Sequence, residues 1–413
     1  MRATDQQHLA RRAAERAARQ SYGRLVAYLV RSWRDLAAVE DALGEAFARA
    51  LETWPVSGVP DQPDAWLLVA ARRRLTDAAR SSKVRTDALR SLLVTTPDHE
   101  EEAAMLPDRR LELMFACAHP AIDAAMHAPL MLQTVLGLSA ERIASSFLIS
   151  PDTMGRRLSR TKQRIRDIGL AFQLPEPQDL AQRSASVAEA IYAAYGQGWD
   201  SIASDDAARR GLTEEAIWLA TVLVQAAPRD AEAQGLLSLM LYCQSRAAAR
   251  RIDGRYVPFA GQDTALWDQK MIAAAERTLA EAGKLQSPGR FQLEAAIQSA
   301  MVQSRRTGQD LRRPLLALHA GLLHFAPTIA NRVGHAVALA DIDGPAAGLA
   351  ALDAIPPDRV AAYQPFWAAR AHCLAQLADR TRDSQAALQL AIGLTEDPSV
   401  RAYLQDLSGA SSG

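Results

Sequence analysis

The chain has 413 residues, 49% of them hydrophobic and 6% aromatic, with 47 Lys+Arg against 47 Asp+Glu. These globular proportions exclude wholesale disorder, and at roughly 100–200 residues per domain the length predicts two to four domains. No apolar run reaches the roughly 18–20 residues that a helix needs to span a bilayer.

The start after Met1 is polar and arginine-rich, without the apolar stretch of a secretory signal. Cys117, Cys243 and Cys373 are too few and too scattered for a disulfide framework, so a reducing cytoplasm is expected. The neutral total hides a polarised molecule. Residues 1–172 carry 25 bases and 21 acids, and residues 173–413 carry 22 and 26. Trp66–Arg90 and Leu138–Ile168 each hold seven bases, against two and three acids, while Asp35–Glu52 holds five acids and one base. Two basic blocks on a neutral chain suit two contacts with a polyanion, although solvated helix faces produce the same pattern.

Abundant alanine and leucine, with apolar residues every three to four positions, predict an all-α fold. Leu36, Val39, Leu43, Phe47 and Leu51 form one stripe of an amphipathic helix, expected to end at Trp54-Pro55. Gly58, Pro60 and Pro63 mark the following segment as a loop. A second helix should start at Asp64 as N-cap and run through Trp66, Leu67, Ala70, Ala71 and Leu75. From Ser81 to Pro107 the periodicity weakens, and Glu100-Glu101-Glu102 reads as an exposed linker. Helices are expected again over Leu111–Ala118, stopped by His119-Pro120, and from Leu130 to Leu136, ended by Gly137. Pro175 and Pro177 mark a domain boundary where the charge changes sign.

Ser139 to Phe147 reads as a short capped helix. Leu148-Ile149 is the connection, and Ser150-Pro151-Asp152 supplies an N-cap, a proline at the first helical position and an acid on the positive dipole end. The helix that follows buries Met154, Leu158 and Ile165 and carries Arg156, Arg157, Arg160, Lys162 and Arg164 on its remaining faces. This is a helix-turn-helix pattern. Ser150, Thr153, Arg156, Arg157 and Arg160 lie where a recognition helix meets base edges and phosphates, with Lys162 and Arg164 beyond them. A basic helical hairpin without DNA contacts is the plainer alternative.

Val39–Leu51 followed by Pro63–Asp77 resembles region 2 of extracytoplasmic-function sigma factors, and the helix-turn-helix looks like their region 4. Leu113–Ala121 and the long helical extension narrow the resemblance to the subgroup with a C-terminal tetratricopeptide-like domain of the DUF6596 type. It covers essentially the whole chain. The resemblance implies region 2 over 1–90, a linker over 91–108, region 4 over 109–172 and a helical regulatory domain over 185–407. It implies core RNA polymerase, through its β′ clamp helices and β flap, and promoter DNA as partners. Glu40, Asp41, Leu43, Glu45 and Phe47 would meet the polymerase. Arg72, Arg73, Arg74, Asp77, Arg80 and Lys83 would act at the minus-ten element, and the Thr153–Arg164 helix would read the minus-thirty-five element. The Pro55–Asp64 loop matches the one that captures a flipped base in relatives, while Trp66 reads as core. Arg73 stands where asparagine is usual, and Gly155-Arg156 where lysine and serine are usual, so promoter sequences do not transfer from relatives.

Cys117-Ala118-His119 offers two ligands without a second pair, too few for structural zinc. No phosphate-binding glycine loop or nucleophile elbow is present, so no cofactor and no enzymatic activity is expected. Beyond Pro175, two segments offset by 35 residues at Ala336 and Ala371 suggest helical repeats. Tyr256, Phe259 and Trp267 lie close together and read as an interface, a pocket or a local core. Contact between the C-terminal domain and the sigma regions is expected to tune activity. The other readings are a stand-alone helix-turn-helix regulator with a sensing domain, and a helical-repeat scaffold.

Overall fold

The computed structural model describes residues 3–81, 108–146, 149–200 and 207–410. The described chain is all-α apart from one two-stranded hairpin. It divides into two compact units, residues 1–199 with 208–219, and residues 200–207 with 220–413. The first unit therefore runs past Pro175.

In the first unit, α1 (Ala3–Trp33), α2 (Leu36–Ser57) and α3 (Pro63–Ser81) pack together. Asp35 caps α2 by accepting the amide of Ala38 at 3.1 Å. The stripe Leu36, Val39, Leu43, Ala46, Ala50 and Trp54 is buried. The helix passes through Pro55 and stops a turn later than expected, because Pro55 removes only its own N–H. Gly58, at φ +87°, closes it by donating its N–H to the Trp54 carbonyl at 3.0 Å. At the start of α3, Asp64 does not cap. It accepts the Ser21 hydroxyl from α1 at 2.7 Å, and α3 begins one residue earlier.

The same unit continues with α4 (Arg110–Cys117), α5 (Ala124–Thr134), α6 (Ala140–Ser146), α7 (Pro151–Asp167) and α8 (Pro177–Asp200). α5 starts six residues before Leu130, capped by Asp123, with Pro129 in its interior. The expected linker at Glu100–Glu102 lies outside the described residues, as does Leu148 of the Leu148-Ile149 connection.

α9 (Ala207–Ala226) contributes residues to both units. In the second unit α10 (Ala231–Ser245) packs on α11 (Gln269–Lys284) and α12 (Arg290–Thr307). Glu232 of α10 caps α12 by accepting the amides of Phe291 and Gln292, both at 3.0 Å. Between α10 and α11 a hairpin pairs Arg251–Ile252 with Arg255–Tyr256 across Asp253-Gly254, both in left-handed conformation. The aromatic cluster separates here. Trp267 and Phe259 join a small core with Tyr242 and Ile272, whereas Tyr256 stacks edge-on to Tyr403 at 5.6 Å.

Helices α13 (Arg312–Phe325), α14 (Ile329–Asp343), α15 (Pro345–Asp353), α16 (Pro357–Val360), α17 (Gln364–Ala375), α18 (Thr381–Leu394) and α19 (Pro398–Ala410) complete the chain. The two similar segments form the helix pairs α14–α15 and α17–α18. Gly348 lets the first pair close, since a Cβ there would press on the Ala336 carbonyl. His319 of α13 is half-buried, its Nδ1 atom is buried and unbonded among the described residues, and burial, then His335, holds its pKa down to about 4. The unfolded chain gains a proton between about pH 6.5 and 4 that the folded chain refuses, so stability falls across that window. With allowance for partial accessibility, the second unit is expected to be about 1 kcal/mol less stable at pH 5 than at pH 7. Urea unfolding of His319→Gln, which should flatten that difference, checks it.

Candidate nucleic-acid interface

The basic helix α7 is built as its sequence dictates. Ser150 Oγ accepts the Thr153 amide at 3.3 Å and lies 2.8 Å from Thr153 Oγ1, Pro151 begins the helix and Asp152 sits in its first turn. Met154, Leu158 and Ile165 are each 1% exposed and fasten the helix to its neighbours. Arg156, Arg157, Arg160 and Arg164 are all exposed. A shallow depression lined by Asp152, Gly155, Arg156 and Arg160 opens at its N-terminal end. The helix can therefore present cations and hydroxyls to a phosphate backbone without disturbing its packing.

Lys162 departs from that face. It pairs with Glu40 of α2, with side chains 11% and 13% exposed, and Arg166 pairs with Asp35 at 2.9 Å. Burial raises the Glu40 pKa, Lys162 pulls it back, and Asp41 adds to the rise. The Tyr22 hydroxyl beside them is pushed up by burial and by Glu40 and Asp41.

On α2, Asp41 and Glu45 are exposed and Phe47 is half-buried against Tyr22. Leu43 is corrected from a partner contact to a core side chain. It is 0% exposed, on the stripe that packs α2 inward. Among the α3 bases, Arg72 donates to the Tyr28 hydroxyl at 2.9 Å and lies over that ring, while Arg74 pairs with Glu45 at 2.5 Å. Arg73 and Asp77 are exposed. Arg80 lies in the last turn of α3 with its side chain outside the described set, and Lys83 lies outside the described residues.

Arg73 also lines a cleft of about 530 Å³ with Arg49, Asp61, Gln62 and Trp66. Trp66 meets Trp54 edge-on at 5.5 Å, so it is both core wall and cleft wall. The cleft offers an aromatic face and two guanidinium groups, a chemistry that holds an unstacked base and its phosphate. Arg49 was missed in the sequence, where its one signal was being the single base in an acidic stretch. Cys117 and His119 do not converge. The Cys117 thiol is buried against Thr134, with its pKa pushed up to about 12, and His119 Nδ1 accepts the Ala121 amide.

The described chain thus combines an all-α fold with a capped basic helix and a second basic cleft. Residues 18–85 match the family Sigma-70 region 2, and residues 183–283 match the family of unknown function DUF6596. An uncharacterized protein of Rhizobium meliloti (strain 1021) is 33% identical over 386 residues, covering 91% of this chain and 90% of its own. No solved structure matches the chain. The chain belongs to the sigma-70 family, in the form that carries a C-terminal DUF6596 domain. Its role is that of a sigma factor in transcription initiation. Among the described residues no helix is long and apolar enough to cross a membrane.

Proposed function

We propose that this chain is an extracytoplasmic-function type sigma factor that binds core RNA polymerase through the exposed face of α2 and recognises a two-part promoter. Asp41 and Glu45, one turn apart, suit arginines of the β′ clamp helices, with Phe47 as the apolar contact. Arg73, Arg74 and Asp77 flank the opened minus-ten strand, and the Arg49–Trp66–Arg73 cleft takes an unstacked base. Thr153, Arg156, Arg157, Arg160 and Arg164 read the minus-thirty-five element in a major groove, with region 4 also meeting the β flap. The single observation that carries this reading is α7, whose apolar stripe is buried while four arginines stay free on one exposed surface.

The helical C-terminal domain modulates that activity in the cytoplasm. Run-off transcription with purified core polymerase on promoters selected from a genomic library tests the reading. Defined transcripts that require this protein are expected, and Arg160→Ala should reduce them at least about tenfold, the effect of losing one bidentate base contact. Duplex binding with no core binding and no transcript would favour a stand-alone regulator.

A further inference from the structure

The contacts of the second unit run in a circuit. α10 meets α12, α12 meets α13, α13 meets α14, and α14 meets α15 and α17. α17 continues to α18 and α18 to α19. α19 then returns to the strand Arg255–Tyr256, in the hairpin that follows α10 along the chain.

The return contact is specific. The Arg251 guanidinium pairs with Asp397, 146 positions away, and donates to the Ser399 hydroxyl. Beside it the Tyr256 ring meets Tyr403 edge-on at 5.6 Å. Asp397 serves both sides of the junction. Its Oδ2 takes Arg251, while its Oδ1 accepts the first-turn amides of α19, Ser399 at 2.8 Å and Val400 at 3.3 Å. The carboxylate that starts the last helix is also the one that holds the hairpin.

We propose that the hairpin and α19 form a clasp, which closes the C-terminal helices into one circuit and is the place where that circuit opens. The proposal does not depend on the sigma-factor reading. In an open helical array each repeat feels only its neighbours, so a change near one end leaves the other end untouched. In a clasped array the two ends are neighbours. The DUF6596 match ends at residue 283, yet the partner of its hairpin lies at Asp397 to Tyr403. The structural unit therefore runs on to the last helix.

The joins of the circuit differ in kind. Apolar clusters fasten α12 to α13, α14 to α15 and α17, and α17 to α18 and α19. The clasp rests on one ion pair, with side chains 17% and 26% exposed, one hydroxyl and one pair of half-buried rings. Ion pairs that keep solvent access hold weakly compared with buried apolar surface, so the clasp gives way before the helix pairs separate.

Amide hydrogen exchange on the full chain tests this. Tyr256→Ala should speed exchange in α19 about fivefold, the worth of one edge-on ring pair, and leave α14 and α15 unchanged. Arg251→Asp, which sets a like charge against Asp397, should speed it further. In return Tyr403→Ala should speed exchange of the Val257 amide, which bonds the Arg250 carbonyl at 2.8 Å beside the hairpin. Tyr256→Ala combined with Tyr403→Ala should act no more strongly than either alone, since both remove the same contact.

An α19 that exchanges at the unsubstituted rate in both Tyr256→Ala and Arg251→Asp overturns the clasp. So do effects of Tyr256→Ala and Tyr403→Ala that add in full. Should Tyr256→Ala melt the hairpin itself, Tyr403→Ala carries the test, because a change on the last helix reaches Val257 only across the clasp. A Val257 amide unmoved by Tyr403→Ala then overturns it.

Discussion

Arg110→Ala is expected to lower the stability of the first unit by about 3 kcal/mol, near the bottom of the range for breaking a buried ion pair. The Arg110 side chain is 6% exposed. Its guanidinium bonds Asp108 at 3.0 Å, pairs with Glu215 and lies 3.5 Å above the Trp218 ring. Alanine removes all three contacts and leaves Glu215, whose pKa burial already raises, without its compensating cation. Glu215 keeps some solvent access, which places the loss at the lower end of the range.

The milder variants should fall in order. Trp218→Leu loses the ring under the cation, about 1 kcal/mol, and Arg110→Lys keeps the charge but neither the fork nor the stack. Arg110→Ala with Glu215→Gln should cost less than the two single changes together, because the stranded carboxylate is gone. Urea unfolding of the full chain checks the series. The same contact bears on truncation. Glu215 and Trp218 lie within the DUF6596 match, yet they complete the surroundings of α4, which lies outside that match. A chain cut at Pro175 would bare Arg110 and confound loss of regulation with loss of packing.

What the sequence revealed depended on whether the physics was local. The Ser150 cap, Pro151 at the first helical position and the Met154–Leu158–Ile165 stripe are decided by near neighbours, and α7 forms as expected. Proline misled at Pro55, which sits inside α2, because buried flanking residues such as Trp54 offset one missing donor. Leu43 was misread, since a residue on the apolar face of a packed helix is used up by the core, and the predicted stripe held only as far as Leu43, with Phe47 half-buried and Leu51 exposed. The Asp253-Gly254 pair carries a two-residue hairpin signal, and the hairpin forms there. The Glu40–Lys162 and Arg110–Glu215 pairs join residues 122 and 105 positions apart. No periodicity reports contacts of that range, so neither the junction of the two regions nor the burial of Arg110 was legible.

Gly23→Ala and Gly155→Ala make the same chemical change and are expected to act with opposite sign. Both glycines lie inside helices, where alanine is favoured by about 1 kcal/mol. A Cβ at Gly155 meets nothing within 4 Å, so that gain should appear in full as a higher unfolding midpoint. At Gly23 the Cβ would fall inside the contact radius of the Val135 carbonyl oxygen, 3.0 Å from its carbon and 3.1 Å from Arg110 Cδ. Two of those atoms are backbone at the end of α5 and cannot rotate away. Overpacking of about 1–3 kcal/mol or more outweighs the propensity gain, and the least costly relief is for α1 to back away from the end of α5. Gly23→Ala should therefore lower stability by about 2 kcal/mol and lengthen the α1–α7 distance with Glu40 and Lys162 both intact. Stabilisation by Gly23→Ala equal to that of Gly155→Ala would mean that α1 and the turn after α5 do not touch in solution. A lengthened distance would separate shape from charge, with close backbone approach setting the junction and the two ion pairs choosing its register.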